Sequence, residues 1–328
     1  MSCPVASAFS HPVAAASDLG ADQPLAARLL GQDWVLWRDD QGRARAATDR
    51  CPHRGTRLSL GRVCEGELQC PYHGWRFAAD GRCSRIPAQP GFQPPAGHGL
   101  HGVRELVEAH GLLWLRPDGG EPNLPCLPEA GAQLRQLTSE AYDLATSAPR
   151  IVENFLDMAH FGFVHEGWLG DAEHPEVPPY EVSASAEDGV AASGCRAWQP
   201  RSTLSAAGGC WVDYDYRVPT PFSAMIIKAP EIAQGWRESI ALFICPQDET
   251  RSRLWFRLAV PDTDSDDAAL LNFQRTIFLQ DQPVLESQQP RCLPLHDATI
   301  REVHCAADRS STAYRRYLEM IRLDYGVC

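Results

Sequence analysis

The sequence is short of positive charge. Lysine and arginine number 30 against 42 aspartates and glutamates, a formal charge of −12. Such a chain is not expected to bind nucleic acid or an anionic membrane surface. It contains no run of about 18 apolar residues, so no transmembrane helix is expected. The opening MSCPVASAFSHPVAAASDL has neither a basic start nor a long apolar core, which argues against a secretory signal and for a cytoplasmic protein. Internal repeats and low-complexity tracts are also missing. Cysteine is not scarce. Yet 12 cysteines scattered over 328 residues suit reduced thiols around one cluster better than a disulfide scaffold.

What is there suffices for two hydrophobic cores. With 44% apolar and 22% charged residues, the composition is that of an ordinary globular protein. The first third is dense in short strands and turns. Trp34 to Arg38 leads into the polar turn DDQGRA, and Leu112 onward reads as a last strand. The proline-bearing GGEPNLPCLPE reads as a linker and places a boundary near residue 120, giving domains 1–120 and 121–328. The second part opens with a helical segment, APRIVENFLDMAHFGF. Alternating strands follow from Cys210, Ser223, Glu238 and Ser252, then a helix over about 266–288. Tyr314, Tyr317, Ile321 and Leu323 mark a closing amphipathic helix. The class is α+β: an antiparallel sheet with helices packed on it.

The chemistry concentrates in two stretches. In CPHRGTRLSLGRVCEGELQCPYHGWRF, Cys51 and His53 form one pair and Cys70 and His73 another. Each Cys is followed by Pro and each His closely by Gly, steps that let loop tips fold over an inorganic centre. Zinc held by two Cys and two His is the alternative. Zinc patterns, however, usually pair Cys with Cys and His with His. One of each per loop lets both loops give Cys to one iron and His to the other, as in a Rieske [2Fe–2S] centre. Cys64 and Cys83 lie nearby and read as ordinary thiols. Six arginines (54, 57, 62, 76, 82 and 85) against Glu65, Glu67 and Asp80 make the stretch net positive, a surface to which an acidic electron donor could be steered. A solvated loop surface is the plainer reading.

The second stretch is ENFLDMAHFGFVHEG. Asp157 and His160 are three apart and would share a helix face. His165 lies five beyond His160, about 140° round a regular helix. The helix must therefore bend or end near Gly162 if both imidazoles are to meet one ion. A carboxylate would complete the facial triad that leaves positions open on Fe(II). Asp281 and Glu286, in IFLQDQPVLESQQP, are the candidates, with Pro283 expected to kink that helix.

The CPHRG…CPYHGWRF motif resembles the Rieske domain of Rieske non-haem iron oxygenases. Thr56 and Tyr72 stand where respiratory Rieske proteins usually carry an extra cysteine pair, which favours the oxygenase branch. The D-x-x-H-x-x-x-x-H and Q/E-D-x-x-x-x-E segments resemble the catalytic domain of the same family. The resemblance covers nearly the whole chain and implies an all-β Rieske domain followed by a helix-grip (START-like) catalytic domain. It assigns Cys51, His53, Cys70 and His73 to the [2Fe–2S] cluster, and His160, His165 and Asp281 to a mononuclear Fe(II). Glu286 becomes a packing or outer partner. Asp157 becomes the bridge that accepts a hydrogen bond from His73 of a neighbouring subunit, which implies a homotrimer, and Asn154 falls near the iron. The implied activity is O2-dependent monooxygenation, demethylating or hydroxylating a small aromatic or heterocyclic substrate. Electrons would come from NAD(P)H through a separate ferredoxin or a flavin/[2Fe–2S] reductase. Ring dihydroxylation is the enzymatic alternative; a Rieske electron carrier and a zinc-stabilised binding module are the others. Phe155, Phe161, Phe222, Ile226 and Trp255 are the candidate pocket residues.

Overall fold

The computed structural model describes residues 4–328 apart from 93, 96, 127–133, 203–207, 233–234 and 297–299. Its chain divides into two units, residues 1–124 and 125–328. The end of the expected linker lies outside the described residues.

The first unit is built from small antiparallel sheets. One pairs Leu25–Leu29, Gln32–Arg38, Ala44–Thr48 and Arg104–Glu105. A second pairs Arg62–Cys64, Glu67–Gln69, Arg76–Phe77 and Cys83–Arg85, and a third His11–Ala15, Leu112–Leu115 and Val107–Ala109. Three hairpins turn on two residues that are both left-handed: Leu30-Gly31, Glu65-Gly66 and His110-Gly111. Such turns match strand twist, and glycine at the second position makes them affordable. The Glu65-Gly66 hairpin folds the spacer between the two Cys/His pairs back on itself. Val35, Trp37, Leu58, Leu68, Phe77 and Ile86 form the core beneath, and Cys51 and Cys70 belong to it.

The second unit carries an eight-stranded antiparallel sheet. Its strands are β1 (Arg135–Thr138), β2 (Tyr142–Leu144), β3 (Glu181–Ser185), β4 (Gly189–Gln199), β5 (Cys210–Thr220), β6 (Ser223–Pro230), β7 (Glu238–Asp248) and β8 (Arg251–Val260). They run in the order β1-β8-β7-β6-β5-β4-β3, with β2 also on β8. The helices are α1 (Ala148–Leu156), α2 (Phe161–Val164), α3 (Asp267–Ser287) and α4 (Arg309–Met320). On α3, Leu270, Ile277, Phe278, Asp281 and Leu285 are the buried residues. Their spacing of threes, fours and sevens is one helix face, so Asp281 occupies a position in an otherwise apolar stripe. Pro283 sits inside α3 without ending it. α4 lies against β3 and β4 and stops at Met320, so Leu323 is buried outside the helix. Among the described residues no helix is long and apolar enough to cross a membrane.

Candidate metal centres

The two Cys/His loops have nearly the same backbone. The Cys51 N–H donates to the Thr56 carbonyl and the Cys70 N–H to the Trp75 carbonyl, each at 2.8 Å. Gly55 donates back to the Cys51 carbonyl (2.8 Å) and Gly74 to that of Cys70 (3.1 Å). Both glycines are left-handed, at φ 74° and 71°, a conformation open to glycine at little cost. The result is a buried sulfur and an exposed imidazole from each loop. Cys51 and Cys70 are 1% and 2% exposed. The His53 and His73 rings lie 4.7 Å apart, with Trp75 stacked on His53 and Tyr72 against His73. Burial, with the Cys70 sulfur alongside, pushes the Cys51 thiol up to about 11, against the hydrogen bond from the His53 backbone. Two buried cysteines, free rather than disulfide-bonded, fit a site whose positive charge a metal supplies. Cys83 packs in the same core, and the Cys64 thiol donates to Gln69 Oε1. Neither joins the four. Of the six arginines, Arg57, Arg76 and Arg82 are already paired with Asp33, Glu65 and Asp80.

The second cluster is assembled by a broken helix. Ser147 Oγ accepts from the Arg150 N–H to start α1, with Pro149 in its first turn. The helix ends at Asp157, which is extended (φ −86°, ψ 133°) and not helical. The expected shared helix face of Asp157 and His160 is therefore replaced by a turn. Asp157 Oδ1 accepts from the Ala159 N–H (2.7 Å) and Oδ2 lies 3.1 Å from His160 Nδ1. The break thus falls at Asp157, before the Gly162 where a bend was expected, and α2 carries His160 and His165 at its two ends. Gly162 serves packing instead. A Cβ there would stand 2.9 Å from the Asp171 carbonyl oxygen, and one on Gly170 2.2 Å from the Phe161 carbonyl carbon.

Across α2 and α3, three donor atoms converge. His160 Nε2 and His165 Nε2 are 3.2 Å apart, and Asp281 Oδ1 is 3.4 Å and 3.2 Å from them. Metal–ligand bonds of about 2.1 Å at right angles place neighbouring donors about 3 Å apart, so the triangle suits one ion. Burial would raise the Asp281 carboxyl, but His160 and His165 hold it down to about 2. Burial would likewise lower His160, yet Asp157 and Asp281 raise it to about 9. The outward ring nitrogens are also engaged: His160 Nδ1 by Asp157, and His165 Nδ1 by Gln280 Oε1 at 2.8 Å. Such partners fix tautomer and ring orientation at metal sites. Sequence reasoning gave Gln280 no role; its place directly before the buried Asp281 was the available signal. Asn154 Nδ2 donates to Asp281 Oδ1 at 3.4 Å. Glu286 faces elsewhere, accepting from the Ala145 N–H and Gln282 Nε2. Arg150 and Arg315 anchor α1 to α4 through Glu153 and Glu302.

The triad lines a cavity of about 120 Å³. Phe155, Phe161 and Ile226 line it as expected, together with Tyr214, Tyr216, Leu242, Phe256 and Ile277. Phe222 and Trp255 do not. Trp255 lies between Leu254 and Phe256 on β8, and successive strand residues point to opposite faces. Phe222 sits between β5 and β6, where its carbonyl accepts from Ile244.

Comparison with known proteins agrees with both halves. A family model described as the Rieske [2Fe-2S] domain matches residues 9–103, and one described as the Vanillate O-demethylase oxygenase C-terminal domain matches 144–323. Methylxanthine N1-demethylase NdmA of Pseudomonas putida is 30% identical over 325 residues, 96% of this chain and 88% of that protein. The probable methylxanthine N7-demethylase NdmC of Pseudomonas sp. (strain TJI-51) is 35% identical over 222 residues, 66% of this chain and 77% of that one. The structure of Pseudomonas putida CBB5 NdmA with caffeine aligns at a TM-score of 0.82 and 28% identity, over 96% of this chain and 90% of the other. The chain belongs to the Rieske non-haem iron oxygenases, oxidoreductases that use a [2Fe–2S] cluster, a mononuclear iron and O2.

Proposed function

We propose that this oxygenase demethylates a small, flat aromatic or heterocyclic compound. On this reading Cys51, His53, Cys70 and His73 hold the cluster, and His160, His165 and Asp281 hold the iron. The observation that carries it is the position of the triad, three convergent donors in the wall of a mostly apolar cavity. When bound, the metal groups supply electron transfer and O2 activation. The chain's own residues do the rest. His160, His165 and Asp281 would hold the ion in the cavity wall. Asp157 and Gln280 hold the two imidazoles in the ligating orientation, and Asn154 steadies the Asp281 carboxylate. Phe155, Phe161 and Phe256 exclude water and press a planar ring into one slot. A methyl group oxidised there leaves as formaldehyde.

The relatives named above are a methylxanthine N1-demethylase and a probable methylxanthine N7-demethylase, so N-methyl heterocycles come first among the substrates to try. The electron donor is a separate ferredoxin or reductase approaching the exposed His53 and His73, with the Arg54 charge beside His53. The same reading makes the protein a homotrimer in which Asp157, 29% exposed at its side chain, accepts from the partner subunit's His73.

O2 uptake with an NADH-linked reductase tests the activity, against N-methyl heterocycles, methoxy-aromatics and unsubstituted aromatics, with formaldehyde trapped. Formaldehyde equal to O2 consumed is expected. A hydroxylated product without formaldehyde would move the chain to the ring hydroxylases.

A further inference from the structure

One wall of the cavity is not apolar. Tyr214 on β5, Lys228 on β6 and Glu238 on β7 are directly opposed across the sheet, Tyr214 to Lys228 and Lys228 to Glu238. Directly opposed residues share a face, and all three line the cavity. The neighbouring row on that face is Tyr216, Ile226, Ile240 and Leu258, which is apolar apart from one hydroxyl. So a polar stripe borders an apolar floor, with the metal triad at the same cavity.

Lys228 and Glu238 are a buried ion pair. Nζ lies 3.2 Å from Oε1, with side chains 4% and 11% exposed. Glu238 Oε2 accepts from Trp236 Nε1 at 3.1 Å, so both carboxylate oxygens are in use. The ammonium has three donors, and Glu238 is its one side-chain partner among the described residues. The Tyr214 hydroxyl takes a hydrogen bond from Gln199 and keeps its own O–H to give. The buried Tyr216 hydroxyl has no partner among the described residues. Burial raises both phenols well above their usual range, so each stays protonated. The sheet does not need this pair. A buried ion pair is often no more stabilising than apolar residues of the same size, and the adjoining row shows that apolar residues fit this face. Unspent donors aimed at a cavity call for an acceptor on its occupant.

The charge balance says which kind. Glu238 already neutralises Lys228. A carboxylate brought to the row would meet a lysine whose charge is taken and a glutamate of its own sign, away from water. A ring carbonyl or ring nitrogen meets donors and no repulsion. We propose that the Tyr214–Lys228–Glu238 row sets substrate specificity: it takes the carbonyl-bearing edge of a neutral N-methylated heterocycle and turns aromatic carboxylates away. This rests on the oxygenase reading above and narrows it to a substrate class.

The test compares caffeine, 1,3-dimethyluracil and N-methyl-2-pyridone with 4-methoxybenzoate on the reconstituted holoenzyme, by calorimetric Kd and by steady-state KM and kcat. The wild type binds members of the neutral set and not the benzoate. The double variant Lys228→Met/Glu238→Leu removes both charges together, so no unpaired charge is left to unfold it. It should weaken Kd and KM for the neutral ligands about 10- to 100-fold, as expected for hydrogen bonds from a charged donor, with the loss in KM and Kd and not in kcat at saturation. Glu238→Gln leaves Lys228 charged and uncompensated, and should gain binding of 4-methoxybenzoate. Benzoate binding by the wild type, or unaltered neutral affinity in the double variant, overturns the proposal. Neutral binding that depends on the row, without O2 consumption, upholds the row and sinks the demethylase reading. Oxidation with the same KM in both proteins does the reverse.

Discussion

Replacing Gln280 with leucine should loosen the proposed iron site without touching any of the three residues assigned to it. His165 is 1% exposed, and its Nδ1 lies 2.8 Å from Gln280 Oε1. A carbonyl oxygen only accepts, so the ring proton sits on Nδ1 and the Nε2 lone pair faces His160 and Asp281. Leucine has nearly the same bulk and no acceptor. The Nδ1–H would be left buried and unpaired, and the ring free to take the other tautomer, which puts a proton where the metal must bind. Loss of such an outer partner weakens metal binding about 10- to 100-fold, or about 1.4–2.8 kcal/mol. The assay is retention of the mononuclear iron in a chelator titration of the purified protein, with the Rieske absorbance as internal control. Gln280→Glu keeps the acceptor and should hold iron at least as well as the wild type. Wild-type affinity in the leucine variant would refute the argument, as would loss of the cluster and the iron together, which signals unfolding instead.

Four further outcomes are expected. His165→Ala should abolish turnover and leave the Rieske spectrum intact; surviving activity would remove the triad assignment. Cys70→Ser should lose the cluster's visible absorption while mononuclear iron still binds in the second unit. Glu286→Ala should lower stability by about 1–2 kcal/mol, the cost of the unpaired Ala145 N–H, at unchanged iron content in metal analysis. The fourth concerns acid. Burial lowers His11 from 6.5 to about 4, against its hydrogen bond to the Ala6 carbonyl. Its folded value is depressed, so the unfolded chain takes the proton first. The stability is present above about pH 6.5 and drains away as the pH falls to about 4, by about 3 kcal/mol. Denaturant unfolding of wild type and His11→Gln between pH 7 and pH 4 should therefore converge at acid; parallel curves would count against it.

Much was legible because some chemistry is local. A Cys-Pro-His-Arg-Gly or Cys-Pro-Tyr-His-Gly loop forms its own turn, so Cys51, His53, Cys70 and His73 could be singled out as candidates from spacing and family likeness. The long strands from Cys210 to Val260 announced themselves by alternation. β3 and β4 did not. Their alanines, serines and glycines carry little strand signal, and they are strands because β5 and α4 cover them. The helix break at Asp157 was misplaced because Gly162 looked like the flexible point, whereas its missing side chain makes room for the chain returning at 170–171.

The sequence by itself determined which atoms are available: two thiol–imidazole loops, two histidines five apart, and an aspartate in an apolar helical stripe. Those are matters of residue type and short-range spacing. Only the tertiary structure decided which groups meet. It brought Asp281 to within 3.4 Å of histidines more than a hundred residues earlier, and turned Glu286 away to Ala145. It also placed Gln280 behind His165 and set Tyr214, Lys228 and Glu238 side by side across three strands. Partners distant in sequence are chosen by sheet register and helix packing, and these follow from the burial of the whole chain.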